Sequence, residues 1–202
     1  MEGPTPSLQT VDPGEADLLV KAQGGNVFAF EEVVRRYQKR VYATALRIVR
    51  RHEVADDVTQ EAFLRGYQAL DRFEVGRPFG PWICRIAANL AVNHVRSPVA
   101  REEPLPEGHG ETPAESPDPL QGVLDTEARV VLQTALADLP AEQRAVFALR
   151  VYEDLSYREI AETLGISLGT VMSRLSRARE KLRDALTPYL GPALRRAGGG
   201  PA

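Results

Sequence analysis

The sequence has no run of 18 or more apolar residues, so no membrane-spanning helix is expected. Its one cysteine, Cys84, excludes an internal disulfide framework and any multi-cysteine metal site, and reads as a buried small hydrophobe. The three histidines, His52, His94 and His109, match no metal-ligand spacing, so neither metal nor other cofactor is expected. The start, Met1-Glu2-Gly3-Pro4, has neither a basic stretch nor an apolar core. No signal peptide is expected from it, and the chain reads as cytoplasmic. A basic surplus, the usual footprint of a nucleic-acid binder, is also missing, with 25 Lys and Arg against 28 Asp and Glu for a net charge of −3. Lysine itself is scarce, since all but three of the bases are arginine. What is present is 202 residues, 43% of them apolar, which excludes wholesale disorder and allows one ordinary domain or two small ones.

The mild total hides an uneven distribution. Residues 1–17 sum to −4, residues 18–97 to +5, residues 98–126 to −6, residues 127–190 to zero, and the tail beyond to +2. Within 171–183 there are five bases and only Glu180. Local potential is what a polyanion meets, so the two basic blocks reopen the question that the total seemed to close.

The acidic stretch also breaks the hydrophobic pattern, with six prolines and three glycines between Ser97 and Leu124. It has too little apolar surface to offset the entropy of ordering, and is expected to be a flexible acidic linker over 98–126. Composition alone favours a passive tether. The expected organisation is all-α, with small helical domains at 12–97 and 127–190 on either side of it.

In the first domain the periodicity is helical throughout. A helix over Glu15–Gln23 ends at Gly24-Gly25, and Asn26 can cap the next one. That helix places Phe30, Val34, Tyr37, Val41, Ala45 and Ile48 at three- and four-residue intervals. Arg35, Arg36, Lys39, Arg40, Arg47, Arg50 and Arg51 fall on its outer face, more bases than solubility requires. A third helix, about 54–70, buries Val58, Ala62, Phe63, Tyr67 and Leu70. It sets Asp57, Gln60, Glu61 and Leu64 on another face, suited to docking a basic partner. A fourth helix begins near Pro81, with Trp82, Ile86, Leu90 and Ala91 inward. Arg85, Asn89 and Arg96 share roughly one face, a composition suited to phosphates and exposed base edges. The loop Arg72–Phe79 carries Phe73, Phe79 and Arg77. Its rings either stack an unpaired base or tuck into the core, and the residue types alone leave both open.

The second domain carries the most specific signal. A short helix with Val130, Val131, Ala135 and Leu139 precedes another over about 141–152, which buries Ala145, Val146 and Leu149. Ser156-Tyr157-Arg158-Glu159 has the form of a capping box. The helix it opens buries Ile160, Ala161 and Leu164 and stops at Gly165. A last helix, about 168–186, buries Val171, Leu175, Ala178 and Leu182. Small Ala161 at a close crossing and Gly165 at the turn fit a helix-turn-helix. Its second helix exposes Thr170, Met172, Ser173, Arg174, Ser176 and Arg177 to a major groove.

Together these residues resemble the extracytoplasmic-function sigma factors, small members of the sigma-70 superfamily. The resemblance rests on Asp57-Val58-Thr59-Gln60-Glu61-Ala62-Phe63, Phe79-Gly80-Pro81-Trp82 and Arg85-Ile86-Ala87-Ala88-Asn89 in the first domain. In the second it rests on Leu139-Pro140-Ala141-Glu142-Gln143-Arg144 and Gly169–Arg179. It implies a promoter-specificity subunit without catalysis of its own. Asp57, Gln60, Glu61 and Leu64 would dock on the clamp helices of the largest subunit of core RNA polymerase, whose flap is a further contact. Phe73, Arg77, Phe79, Arg85, Asn89 and Arg96 would recognise and open the −10 element. Thr170, Met172, Ser173, Arg174, Ser176 and Arg177 would read the −35 duplex. The acidic linker would thread the basic polymerase cleft, a use that a passive tether lacks, and an anti-sigma factor is a further expected partner. Met172 stands where the family commonly has a base, which bears on the −35 preference.

Two other readings compete. A stand-alone helix-turn-helix regulator with an N-terminal helical dimerisation domain accounts for the second domain but not for the docking face or the acidic linker. A nucleic-acid-processing enzyme would require clustered metal-binding carboxylates. Its nearest candidates, Asp56, Asp57 and Glu61, include adjacent residues that diverge on a helix.

Overall fold

The computed structural model describes residues 13–97 and 126–189. The central part of the expected linker, 98–125, lies outside the described residues, and Thr126 already belongs to a helix. The described residues form eight α-helices: α1 Pro13–Gln23, α2 Val27–Val49, α3 His52–Gln68, α4 Phe79–Arg96, α5 Thr126–Ala137, α6 Ala141–Val151, α7 Tyr157–Leu164 and α8 Leu168–Leu186. A 3₁₀ turn, Leu70–Arg72, follows α3. No helix is long and apolar enough among the described residues to cross a membrane.

Local chemistry sets most boundaries. The Ala29 N–H donates to the Asn26 side chain at 3.1 Å, which starts α2 as expected. Gly25, at φ 86°, makes the left-handed exit from α1. Helix α4 starts two residues earlier than expected, with Pro81 in its first turn. Glu15 of α1 supports this start, accepting the Phe79 N–H at 3.3 Å and the Tyr37 hydroxyl at 2.6 Å. Gln23 donates to the Leu70 and Phe73 carbonyls, both at 2.8 Å, and so ties the 3₁₀ turn to α1.

Helices α2, α3 and α4 pack against one another, with Val33, Val41, Ala45 and Ile48 of α2 fully buried. Gly66 is where α3 meets α4, since a Cβ there would lie 2.6 Å from Ile83 Cδ1. Two stripes are rotated from their expected register. Ala91 and Cys84 are buried in α4 as expected, but Phe79, Gly80, Ile83, Ala87, Ala88 and Val92 complete the buried face, while Trp82, Ile86 and Leu90 are half-buried. In α5, Ala128 and Leu132 are buried and Val130 is 57% exposed. Tyr67 also stays partly exposed, its ring tilted at 55° and 4.8 Å from that of Phe30 rather than sealed inside.

The helix-turn-helix forms as expected. Ser156 and Glu159 make both halves of the capping box, and Gly165 takes φ 61° at the end of α7. Val171, Leu175, Ala178 and Leu182 carry the buried stripe of α8.

The largest departure concerns the outer face of α2. Arg35, Arg36 and Lys39 are exposed, but Arg40, Arg47 and Arg50 are not a solvated face. The second bundle, α5–α8, packs on the C-terminal half of α2 and on α4, so one apolar cluster runs through both halves of the molecule. Thr44 and Val49 of α2 are buried as well, because this stretch is covered from two sides.

Candidate functional site

Three of the four residues on the α3 face, Asp57, Gln60 and Leu64, are exposed, and Leu64 has 54% of its surface open. Glu61 is half-exposed and accepts from Arg65 Nε at 2.6 Å, one turn further on. The face is therefore an uncovered leucine flanked by an acid and an amide, with a second acid paired along its edge. Asp56 and Asp57 are both exposed on α3, and Glu61 is half-exposed. Among the described residues no group of three or more His, Cys, Asp or Glu side chains could hold a metal ion.

The α4 face is brought together only in part. Phe73 and Phe79 are 5% and 0% exposed, so of the two alternatives for the loop the structure adopts the core one. Their rings lie 5.4 Å apart and pack against Trp82 at 5.0 and 5.3 Å. Neither ring is presented for stacking on a base, which corrects the expectation for both. The physical reason is that a short helical bundle needs large apolar groups, and Gln23 and Glu15 hold the loop ends against it. Arg77 does project outward, pairing with Glu74 at 2.6 Å.

Arg85, Asn89 and Arg96 lie along α4 as expected, but the second bundle partners both arginines. Arg85 pairs with Glu159, and Arg96 Nη2 lies 2.9 Å from Glu142 Oε1. A cleft of about 550 Å³ opens between the halves, lined by Arg77, Trp82 and Arg85 on one side and Glu153, Asp154 and Glu159 on the other.

On α8, Met172, Ser173, Ser176 and Arg177 are exposed, and Thr170 is half-buried. The Thr170 N–H donates to the Ser167 hydroxyl at 3.1 Å, which caps the helix start. Arg174 departs from the expected exposed set. Its side chain is only 17% exposed and its Nη2 lies 2.5 Å from Glu142 Oε2. One carboxylate thus holds an arginine from α4 and another from α8.

The residues that sequence reasoning missed are those joining the halves. Glu153, 2% exposed, accepts from Arg40 Nε at 2.9 Å, and its other oxygen lies 2.9 Å from the Thr44 hydroxyl. Burial is the largest single influence on Arg40 and opposes its charge, but Glu153, Cys84 and Tyr37 together outweigh it and raise its pKa. Arg144 donates to the Ile48, Ala137 and Leu139 carbonyls at 2.6–3.0 Å, and burial, then Arg50 nearby, lowers it to about 10. Arg47 lies 3.8 Å over the Tyr152 ring. Burial pushes the Cys84 thiol well up, consistent with an inert core residue. For Glu159, burial favours the neutral acid, but hydrogen bonds from Ser156 and the charge of Arg85 prevail and lower its pKa.

The family model "Sigma-70 region 2" matches residues 33–100, and "Sigma-70, region 4" matches residues 129–182. Among known proteins, the chain is similar to the ECF RNA polymerase sigma factor SigE of Mycolicibacterium smegmatis, at 41% identity over 80% of this chain and 63% of that protein's length. It is 35% identical to the RNA polymerase sigma-H factor of Pseudomonas aeruginosa over 89% of this chain and 97% of the relative. With the ECF RNA polymerase sigma-E factor of Escherichia coli the figures are 34%, 86% and 94%. Of solved structures, the sigma factor RpoE in complex with the anti-sigma factor NepR from Bartonella quintana superposes with a TM-score of 0.60 at 25% identity, covering 80% of this chain and 98% of that one. CnrH in complex with the cytosolic domain of CnrY superposes with a TM-score of 0.54 at 29% identity, covering 87% and 98%.

Proposed function

The chain belongs to the extracytoplasmic-function sigma factors of the sigma-70 superfamily, and from that premise we propose that it is the promoter-specificity subunit of RNA polymerase, acting in the cytoplasm. It binds the core enzyme, recognises the −35 and −10 elements, opens the −10 region and directs initiation. It performs no catalysis, because the chemistry of RNA synthesis is the polymerase's. Its partners are core polymerase, promoter DNA and an anti-sigma factor. The last rests on the two structural relatives, which were solved with bound partners.

The observation that carries this reading is the coexistence, in one chain, of the exposed α3 face and a capped helix-turn-helix. A stand-alone regulator has use for the second but not the first. Asp57, Gln60 and Leu64, with Glu61 at the edge, are the residues assigned to polymerase docking, since an exposed leucine among acids suits a basic helical partner. On α4, Arg85, Asn89 and Arg96, with Arg77 from the preceding loop, are assigned to the opened −10 strand. Phe73 and Phe79 support that surface from within. On α8, Thr170, Met172, Ser173, Ser176 and Arg177 are assigned to the −35 duplex, together with Arg174 once Glu142 releases it. The exposed thioether of Met172 offers contact with a thymine methyl in place of a charge.

The test is assembly with core enzyme. Asp57→Ala combined with Leu64→Ala should weaken holoenzyme formation about tenfold or more with unchanged helical circular dichroism. Asn89→Ala should leave assembly intact and reduce strand opening. Equal assembly by the docking variant would remove α3 from the interface.

A further inference from the structure

The start of α8, Leu168–Ser173, contains no charged and no amide side chain. The hydroxyls there are engaged locally. Those of Ser167 and Thr170 lie 2.9 Å apart, and Ser173 donates to the Thr170 carbonyl at 3.1 Å. The side chains left pointing outward are Leu168, 49% exposed, and Met172, 53% exposed, one turn apart on the same flank. Met172 also borders a groove of about 610 Å³ with Tyr157 of α7 and Ser176, Arg179 and Arg183 of α8. Arg177, Arg179 and Arg183 are exposed beyond the pair, so an apolar tip stands within a surface suited to a polyanion.

Each base pair presents a distinct edge in the major groove. Arginine or lysine suits guanine, asparagine or glutamine suits adenine, and a carboxylate suits cytosine. None of these residue types stands between Leu168 and Ser173. The base-edge group that an apolar side chain contacts is the thymine C5-methyl. Leu168 and Met172 are about 6 Å apart along the helix axis, against a base step of about 3.4 Å, so they can meet methyl groups on neighbouring pairs.

We infer that the tip of α8 reads C5-methyl groups, with Leu168 and Met172 selecting thymines at neighbouring positions of the −35 duplex. The inference rests on the assignment of α8 to that duplex and adds the chemical group that is recognised. A 5-methylcytosine carries its methyl at the same place in the groove, so the tip accepts it in place of thymine.

The DNA for the test is the set of promoters at which core polymerase initiates only when the full chain is present. Each thymine of their −35 region is replaced in turn by deoxyuridine, which removes the methyl and keeps every hydrogen-bonding group. Holoenzyme affinity is read by competition in a mobility-shift assay. Should the chain instead select duplex without polymerase, the sigma-factor reading fails, and the same replacements are made in that duplex.

Deoxyuridine at two neighbouring positions should lower affinity about fourfold each, the worth of one buried methyl. A C·G pair at either position should cost at least as much, and 5-methylcytosine should recover part of the loss. Met172→Ala should bind thymine and deoxyuridine duplexes equally at one of the positions, and Leu168→Ala at the other. Met172→Arg should change the preferred base at its position from thymine to guanine. Both side chains are exposed, so helical circular dichroism should be unchanged. Should Leu168→Ala weaken the start of α8, the two Met172 variants carry the test.

Three results would overturn the inference. In the first, wild-type affinity is indifferent to deoxyuridine throughout the −35 region. In the second, the methyl effect persists undiminished in both alanine variants, which assigns the readout to another element. In the third, Met172→Ala weakens binding to core polymerase without DNA, which makes the pair a protein contact. Initiation at discrete new starts is compatible with all three, so the sigma-factor reading is judged separately.

Discussion

Ser156 and Glu159 are two residues with a double duty. Together they cap α7, with the Glu159 N–H donating to the Ser156 hydroxyl at 3.3 Å and the Ser156 N–H donating to the Glu159 carboxylate at 2.8 Å. Glu159 also reaches across to Arg85. Replacing Ser156 with alanine should cost about 1 kcal/mol in denaturant unfolding followed by circular dichroism. The pH dependence has a definite sign. The folded-state pKa of Glu159 lies below its unfolded value of about 4.3. Its stabilising contribution is therefore complete above the unfolded value and is lost as pH falls through the folded one. Ser156→Ala removes hydrogen bonds that lower the pKa, so the variant should lose less stability than the wild type between about pH 5 and that lower range. An identical acid limb in the two proteins would contradict this. The capping box is legible in the sequence because both partners lie within one turn. Glu153 is not, since nothing within several residues distinguishes a glutamate that will be sealed inside from one that will stay in water.

At the scale of the element, α2 and α4 carry most of the consequence. Periodicity finds one buried stripe per helix, and for the first half of α2 that suffices. The second half is covered by α3 and α4 on one side and by the second bundle on the other, which is why Arg40, Arg47 and Arg50 read as an outer face and are not one. The α4 stripe is shifted for a related reason. Its buried face includes the small residues Ala87 and Ala88, which a pattern of large apolar side chains does not mark. The aromatic loop was ambiguous in composition, and Gln23 and Glu15, acting from a distant helix, decide it. The helix-turn-helix, by contrast, is legible nearly to the residue, because cap, turn glycine and stripe are all local. The α3–α4 crossing offers a direct check. Gly66→Ala would place a Cβ 2.6 Å from Ile83 Cδ1, so the helices must separate or Ile83 must repack. A loss of about 1–3 kcal/mol is expected in the same unfolding assay. No loss would mean that the crossing is looser than described.

For the whole molecule, the net charge of −3 is a sum over parts that face different partners. On the proposed reading the basic first half and α8 are the parts that face nucleic acid, and the acidic 98–126 stretch suits a basic channel. The acids of the second bundle, Glu142, Glu153 and Glu159, are turned on the chain's own arginines. A chain built this way should be a weak binder of promoter duplex alone. It should become a specific one in company with core polymerase, which supplies a place for the acidic stretch. The all-helical class is legible from periodicity, and the shared exposure of Asp57, Gln60 and Leu64 on α3 from their spacing. The contact between the halves is a property of the folded pair and of no single segment.

The most direct measurement is the mapping of transcript 5′ ends made in vitro by core RNA polymerase on genomic DNA of the protein's own source, with and without the chain. A discrete set of new start sites should appear, sharing sequence elements near −10 and −35. The same DNA should be held only weakly by the chain without polymerase. No new starts, combined with tight and site-specific binding by the chain alone, would contradict the account and favour a stand-alone regulator.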